Sequence, residues 1–124
     1  MRHFISSVIS VAILACATPR TMVYVAPTNE TVHLISEEMQ MSPGHVLYVE
    51  NGSSVPITVT SVQLTSCENI KNRCDFHKMS IQVDPRSKRQ IMRVEADNPT
   101  RGFFYRSSFG WRAEGTPVTI QPDA

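Results

Sequence analysis

Two cysteines, three histidines and three methionines stand where a disulfide, a general base or a metal site would need them. Cys67 and Cys74 stand within one polar stretch, Ser66-Cys67-Glu68-Asn69-Ile70-Lys71-Asn72-Arg73-Cys74. In an oxidising compartment, two thiols so placed pair as a disulfide. Closing so short a loop stabilises a domain by about 2 to 3 kcal/mol in the chain-entropy account. Zinc would need further ligands at suitable spacing, and no Cys-x-x-Cys supplies them. Met39, Met41 and His45 cluster, and His77-Lys78-Met79 sets an imidazole and a thioether on one strand face. Thioether and imidazole donors together suit copper, which makes these five residues the metal alternative. Met79 shares parity with Ile81 and Val83, however, and core packing is the simpler account of it.

Catalysis finds little support in the same residues. Acyl transfer needs a nucleophile, a base and a group that orients the base. The histidines past the N-terminal segment are His33, His45 and His77, and no serine stands in a Gly-x-Ser-x-Gly elbow. Glu37 and Glu38 read as neighbours on a solvated loop rather than as an acid–base pair. The five glycines are scattered, so no phosphate-cradling loop is written. The expectation is a protein that is not an enzyme.

The N-terminus gives an address. Met1, Arg2 and His3 form a short positive start, and residues 4–15 form an apolar run too short to span a bilayer comfortably. Ile13-Leu14-Ala15-Cys16 resembles a bacterial lipobox, whose cysteine carries lipid and becomes the first mature residue. Leu14 stands where that pattern usually has a small residue. Ala15-Cys16-Ala17 fits ordinary signal cleavage equally well, which would release a soluble periplasmic domain starting at Thr18. A third possibility is an uncleaved anchor. All three readings place the domain outside the cytoplasm. The resulting division is a signal peptide at 1–15, a tether at 16–28 and one domain at 29–124. The lipoprotein reading puts lipid on Cys16 and the domain on the periplasmic side of a bacterial membrane.

Composition limits the partners. The chain has 124 residues, enough for one modest core, and 41% of them are hydrophobic. With 12 basic against 11 acidic residues there is no global attraction to nucleic acid. Charge is nevertheless segregated. Residues 21–70 hold five acidic residues and no Lys or Arg, whereas residues 71–112 hold ten basic and four acidic ones. Strands from the two halves would pair these charges across a sheet; the alternative is a polarised face that docks a partner.

Strand patterns dominate the domain that must position these residues. Residues 45–50 and 56–64 are rich in Val, Ile, Tyr and Thr, and Asn51-Gly52-Ser53-Ser54 between them predicts a hairpin. The apolar phase of the second run slips near Thr60 and Ser61, which predicts a bulge or burial on both faces. Met79, Ile81 and Val83 alternate with polar residues, and Asp84-Pro85-Arg86-Ser87 turns the chain. Residues 91–95 form another strand. From 103 to 112, Phe103, Tyr105, Phe109 and Trp111 share the core parity, while Phe104, Arg106, Ser108 and Arg112 share the wet one. Residues 31–35 and 117–120 supply outer strands, with Pro117 at an edge.

This succession over roughly 45–112 resembles the small immunoglobulin-like domains of many bacterial envelope proteins. The resemblance implies an all-β fold, an antiparallel sandwich of about seven strands, and a function in protein contacts. Aromatic and arginine side chains carry most interface energy. Phe104, Arg106 and Arg112, together with Arg86 and Arg89, are therefore the expected surface for a protein partner in an envelope or membrane complex.

Overall fold

The computed structural model describes residues 23–114 and 119–122, and no helix occurs among them. The proposed signal peptide, Cys16, most of the tether, Pro117 and the last two residues lie outside the described residues. β1 (Val32–Glu38), β2 (Gly44–Asn51) and β5 (Ser87–Glu95) form one antiparallel sheet in the order β1-β2-β5. β3 (Ile57–Glu68), β4 (Phe76–Val83), β6 (Phe104–Ala113) and β7 (Thr119–Pro122) form a second, in the order β4-β3-β6-β7. Val32, Leu47, Val49, Ile91 and Val94 from the first sheet join Ile57, Val59, Val62, Leu64, Val83, Phe109 and Trp111 from the second in one buried cluster. The fold is thus all-β and sandwich-like. Alternating side chains make that possible, because every second residue of a strand faces the opposite sheet.

On β3, both neighbouring ladders shift register between Val59 and Ser61. This bulge, where the apolar phase slips in the sequence, lets Ile57 and Val59 face the core before it and Val62 and Leu64 after it. The parity of β6 holds as well: Phe109 and Trp111 are buried while Phe104, Arg106 and Arg112 are exposed.

The hairpin expected at 51–54 is overturned. β2 pairs with β1 and β5, whereas β3 pairs with β4 and β6, so residues 52–56 carry the chain from one sheet to the other. A two-residue hairpin turn of the Asn-Gly type needs positive φ at both central residues. Among the described residues positive φ occurs at Ser66, Asn69, Arg86 and Gly44, not at Asn51 or Gly52. Asn51 instead turns its fully buried side chain inward. Its Nδ2 donates to the carbonyls of Val55 at 2.8 Å and Val83 at 3.1 Å, and its Oδ1 accepts from the Ser53 amide at 3.0 Å and hydroxyl at 2.6 Å. Those bonds satisfy backbone groups that a crossing segment would otherwise bury without partners.

Glu37 and Glu38 do not lie on a loop either; they are the last two residues of β1. Lys88 of β5 reaches over the Tyr48 ring, 4.6 Å from its centroid, to bond Glu37 at 2.8 Å. That hydrogen bond holds the Lys88 ammonium above its ordinary pKa, against the effect of desolvation. Lys88 is also in register opposite Glu50. The acidic first half and the basic second half therefore meet across this sheet, as cross-strand pairing requires.

Candidate functional site

Three connections meet at one end of the sandwich: the β1–β2 turn, the β3–β4 loop and the β5–β6 loop. Asn69, in the left-handed region at φ 56°, ties two of them together. Its Nδ2 donates to the carbonyls of Asn98, Arg101 and Gly102 at 3.0, 3.1 and 3.0 Å, while its Oδ1 accepts from the Asn98 amide at 2.8 Å. The Lys71 amide bonds the Glu95 carbonyl, and the Ala96 amide bonds that of Pro43. At Gly44 a Cβ would collide with the Val94 carbonyl oxygen and with Met39 Sδ, so only glycine lets the β1–β2 turn lie this close to β5.

Cys67 and Cys74 are disulfide-bonded within this end, with Cα atoms 5.9 Å apart. The bond closes the loop that Asn69, Lys71 and Asn72 attach to the β5 side. Replacing both cysteines by serine is expected to lower stability by about 2 to 3 kcal/mol with the fold retained. Urea titration would read this as a lower midpoint, and an unchanged midpoint would show that the other loop contacts suffice.

Against these loops His45 of β2, Tyr105 of β6 and Phe103 just before β6 bring three aromatic rings together. His45 Nδ1 and the Tyr105 hydroxyl share a hydrogen bond of 2.6 Å. The His45 ring stands edge-on to Phe103 and Tyr105 at centroid distances of 5.2 and 5.6 Å, and Phe103 stacks on Tyr105 at 6.4 Å. Such offset and edge contacts suit the ring quadrupoles. Ser36, His45, Phe103, Phe104 and Tyr105 line an open cleft of about 270 Å³. Phe104 has the opposite parity to its two neighbours, is 47% exposed, and carries the Arg106 guanidinium over its ring at 5.9 Å. The site is thus a rigid aromatic step with one cation on its outer lip.

The five residues expected to form a partner surface are distributed over the molecule. Phe104 and Arg106 stand together at the loop end. Arg112 is on the same face of β6, but six residues along a strand is about 20 Å. It lines a separate cleft with Pro56, Thr58, Gln82 and Glu114. Arg89 donates through Nη1 to the Gln82 carbonyl at 2.7 Å, bridging the neighbouring edges β5 and β4 of the two sheets. Arg86 donates through Nη2 to the Val23 carbonyl and to Ser54 Oγ. Intramolecular bonds engage these last two arginines.

The copper alternative's residues are also separated. Met39 packs over Gly44, and Met41 is 94% exposed at the tip of the β1–β2 turn. His45 belongs to the first sheet and bonds Tyr105, whereas His77 and Met79 belong to the second. His77 Nε2 is 2.9 Å from the Arg73 carbonyl, and Met79 packs on the core. Among the described residues no group of three or more His, Cys, Asp or Glu side chains is placed to hold a metal ion.

Phe76 is 50% exposed at the start of β4, an outward aromatic that the apolar alternation of Met79, Ile81 and Val83 does not mark. Its parity with Lys78, Ser80 and Gln82 marks it as outward-facing, one residue before the strand face that His77 and Met79 share. Nothing in the sequence brings His45 to Tyr105, sixty residues away and on the other sheet. Among the described residues no helix is long and apolar enough to cross a membrane. Comparison with protein-family models, with curated proteins and with solved structures found no match.

Proposed function

We propose that this chain is an exported, non-enzymatic protein-binding module, held by lipid on Cys16 at the periplasmic side of a bacterial membrane as an accessory subunit of an envelope complex. An immunoglobulin-like sandwich is its most economical description. The alternation of β1-β2-β5 with β4-β3-β6-β7 supports that reading, with β4 beside β3 instead of in the first sheet. The observation that carries the binding role is the half-exposed Phe104 under Arg106, beside an aromatic-walled cleft. An aromatic ring and a guanidinium held on a rigid strand lose little entropy on contact, which is why such residues form interface anchors.

The test is affinity purification of the full chain from its native membrane, wild type against Phe104→Ala/Arg106→Ala. Loss of two anchor residues is expected to lower the retained partner about tenfold or more, since an anchor contributes roughly 2 kcal/mol or more. Ser80→Ala, on the outward face of β4, should retain the partner fully. Equal recovery with all three proteins would sink this reading of the site.

A further inference from the structure

The other end of the sandwich points to where the domain meets its membrane. We infer that the end carrying Val23, Tyr24, Pro85 and Arg86 is a lipid-facing surface, so that the Phe104–Arg106 end projects away from the bilayer. This rests on the anchored reading proposed above.

Val23 and Tyr24 are 73% and 66% exposed, an apolar and an aromatic side chain side by side at the point where the chain enters the domain. With Ser54, Pro85 and Arg86 they line a broad cleft of about 450 Å³. The segment does not dangle. Arg86 Nη2 donates to the Val23 carbonyl at 3.0 Å and to Ser54 Oγ at 3.3 Å. The Ser54 amide donates to the Val25 carbonyl at 2.8 Å, and the Val25 amide returns a bond to Ser54 Oγ at 2.8 Å. Thr31 Oγ1 donates to the Ala26 carbonyl at 2.9 Å and accepts from the Thr28 amide at 2.8 Å. Arg86 adopts φ 54° in the β4–β5 turn, a conformation that costs a side-chain-bearing residue, and its guanidinium reaches the incoming chain at Val23.

The occupant follows from chain length. Only six residues lie between Cys16 and Val23, so seven Cα steps give a reach of at most about 25 Å when fully extended. That reach alone permits several tilts of the domain. The clamp selects one, because it fixes Val23 and Tyr24 on the surface nearest the lipid. Tyrosine is enriched at membrane interfaces, where its ring lies among headgroups and its hydroxyl stays wet, and arginine donors suit lipid phosphates. The exposed Phe76, Phe104 and Met41 belong to the opposite end, about 25 Å away along β2. A partner would therefore be met at a fixed height above the membrane.

Depth-dependent quenching tests the orientation. The full chain, processed in its native membrane, is prepared as Tyr24→Cys and as Met41→Cys and labelled with a thiol-reactive fluorophore. Each is placed in phosphatidylethanolamine and phosphatidylglycerol vesicles containing brominated acyl chains. The label at position 24 is expected to lose most of its emission and the label at 41 to keep it. Full emission at 24, or equal quenching at both positions, overturns the proposal. Intact mass of the N-terminal peptide reports separately on anchoring. If Cys16 carries no lipid, the anchored reading fails by itself. The surface is then judged by sedimentation with the same vesicles: binding that Val23→Asp/Tyr24→Asp abolishes supports it, and no sedimentation of the wild type overturns it.

Discussion

Asn51→Ala is expected to lower the unfolding free energy by about 3 kcal/mol, because the Ser53 amide and hydroxyl and the Val55 and Val83 carbonyls each lose a buried bond, with only the Ser53 hydroxyl and the Val55 carbonyl keeping each other at 2.9 Å, and a buried group left unpaired costs roughly 1–3 kcal/mol. Asn51 is wholly buried, and its amide serves Val55 and Val83 on one side and Ser53 on the other. Val55 belongs to the crossing segment and Val83 ends β4, so one side chain fastens the first sheet's exit to the second sheet's edge. Asn51→Asp should be comparably harmful, since it removes both amide donors and places a carboxylate in the core. Urea unfolding followed by the fluorescence of the single tryptophan, the buried Trp111, would measure the loss. Gln90→Ala on the exposed face of β5 should stay within about 0.5 kcal/mol. A similar small effect at Asn51 would mean that the crossing segment is held by its other contacts.

Phe109→Ala is expected to cost about 3 to 5 kcal/mol, the range for removing a large aromatic ring from a packed core. Phe109 is 1% exposed and stands in register opposite Val62 on β3, immediately after the bulge. Because the bulge sets which residues of β3 face inward, the cavity would open where the two registers join and where little can collapse to fill it. Phe109→Leu should recover most of the loss by restoring volume and apolar surface. Calorimetry would show the alanine variant melting far below the wild type. Melting temperatures within a few degrees of each other would show that the site can collapse around the missing ring. Neither substitution touches Phe104 or Arg106, so any folded fraction should still retain the partner.

Much of this architecture can be read from side-chain alternation. The two parities of β6 separate Phe109 and Trp111 from Phe104, Arg106 and Arg112, because a strand's side chains alternate whatever the strand is paired with. The slip at Thr60 and Ser61 calls, for the same reason, for an extra residue or for burial on both faces, and the ladders on either side of β3 show the extra residue. Pairing partners are less legible. Asn51-Gly52 looks like a hairpin turn, yet the same residues make a crossing between sheets. Asparagine's short amide serves both purposes, and only the surrounding carbonyls decide between a positive-φ turn and a buried hydrogen-bonding hub.

The arginines divide along the same line. Arg86 and Arg89 look like free surface charge beside a turn, but Arg86 bonds the Val23 carbonyl of the entering chain and Arg89 bonds the Gln82 carbonyl across the β4–β5 turn. A sequence shows that a guanidinium is present and not which carbonyls lie within its reach. Phe104 and Arg106 are different, since their neighbourhood follows from spacing along a single strand.

Local features are legible in the chain alone: strand periods, the phase slip at Thr60 and Ser61, the wet and dry faces of β6, and two cysteines close enough along the chain to pair. Each depends on neighbours a few residues away, where geometry is set by the backbone. Folding adds which strands share a sheet, the meeting of His45 with Phe103 and Tyr105, the hub roles of Asn51 and Asn69, and the clamp of Arg86 and Ser54 on the entering chain. Those depend on contacts between residues far apart in the chain, whose loop-closure cost is offset only when the whole core forms at once.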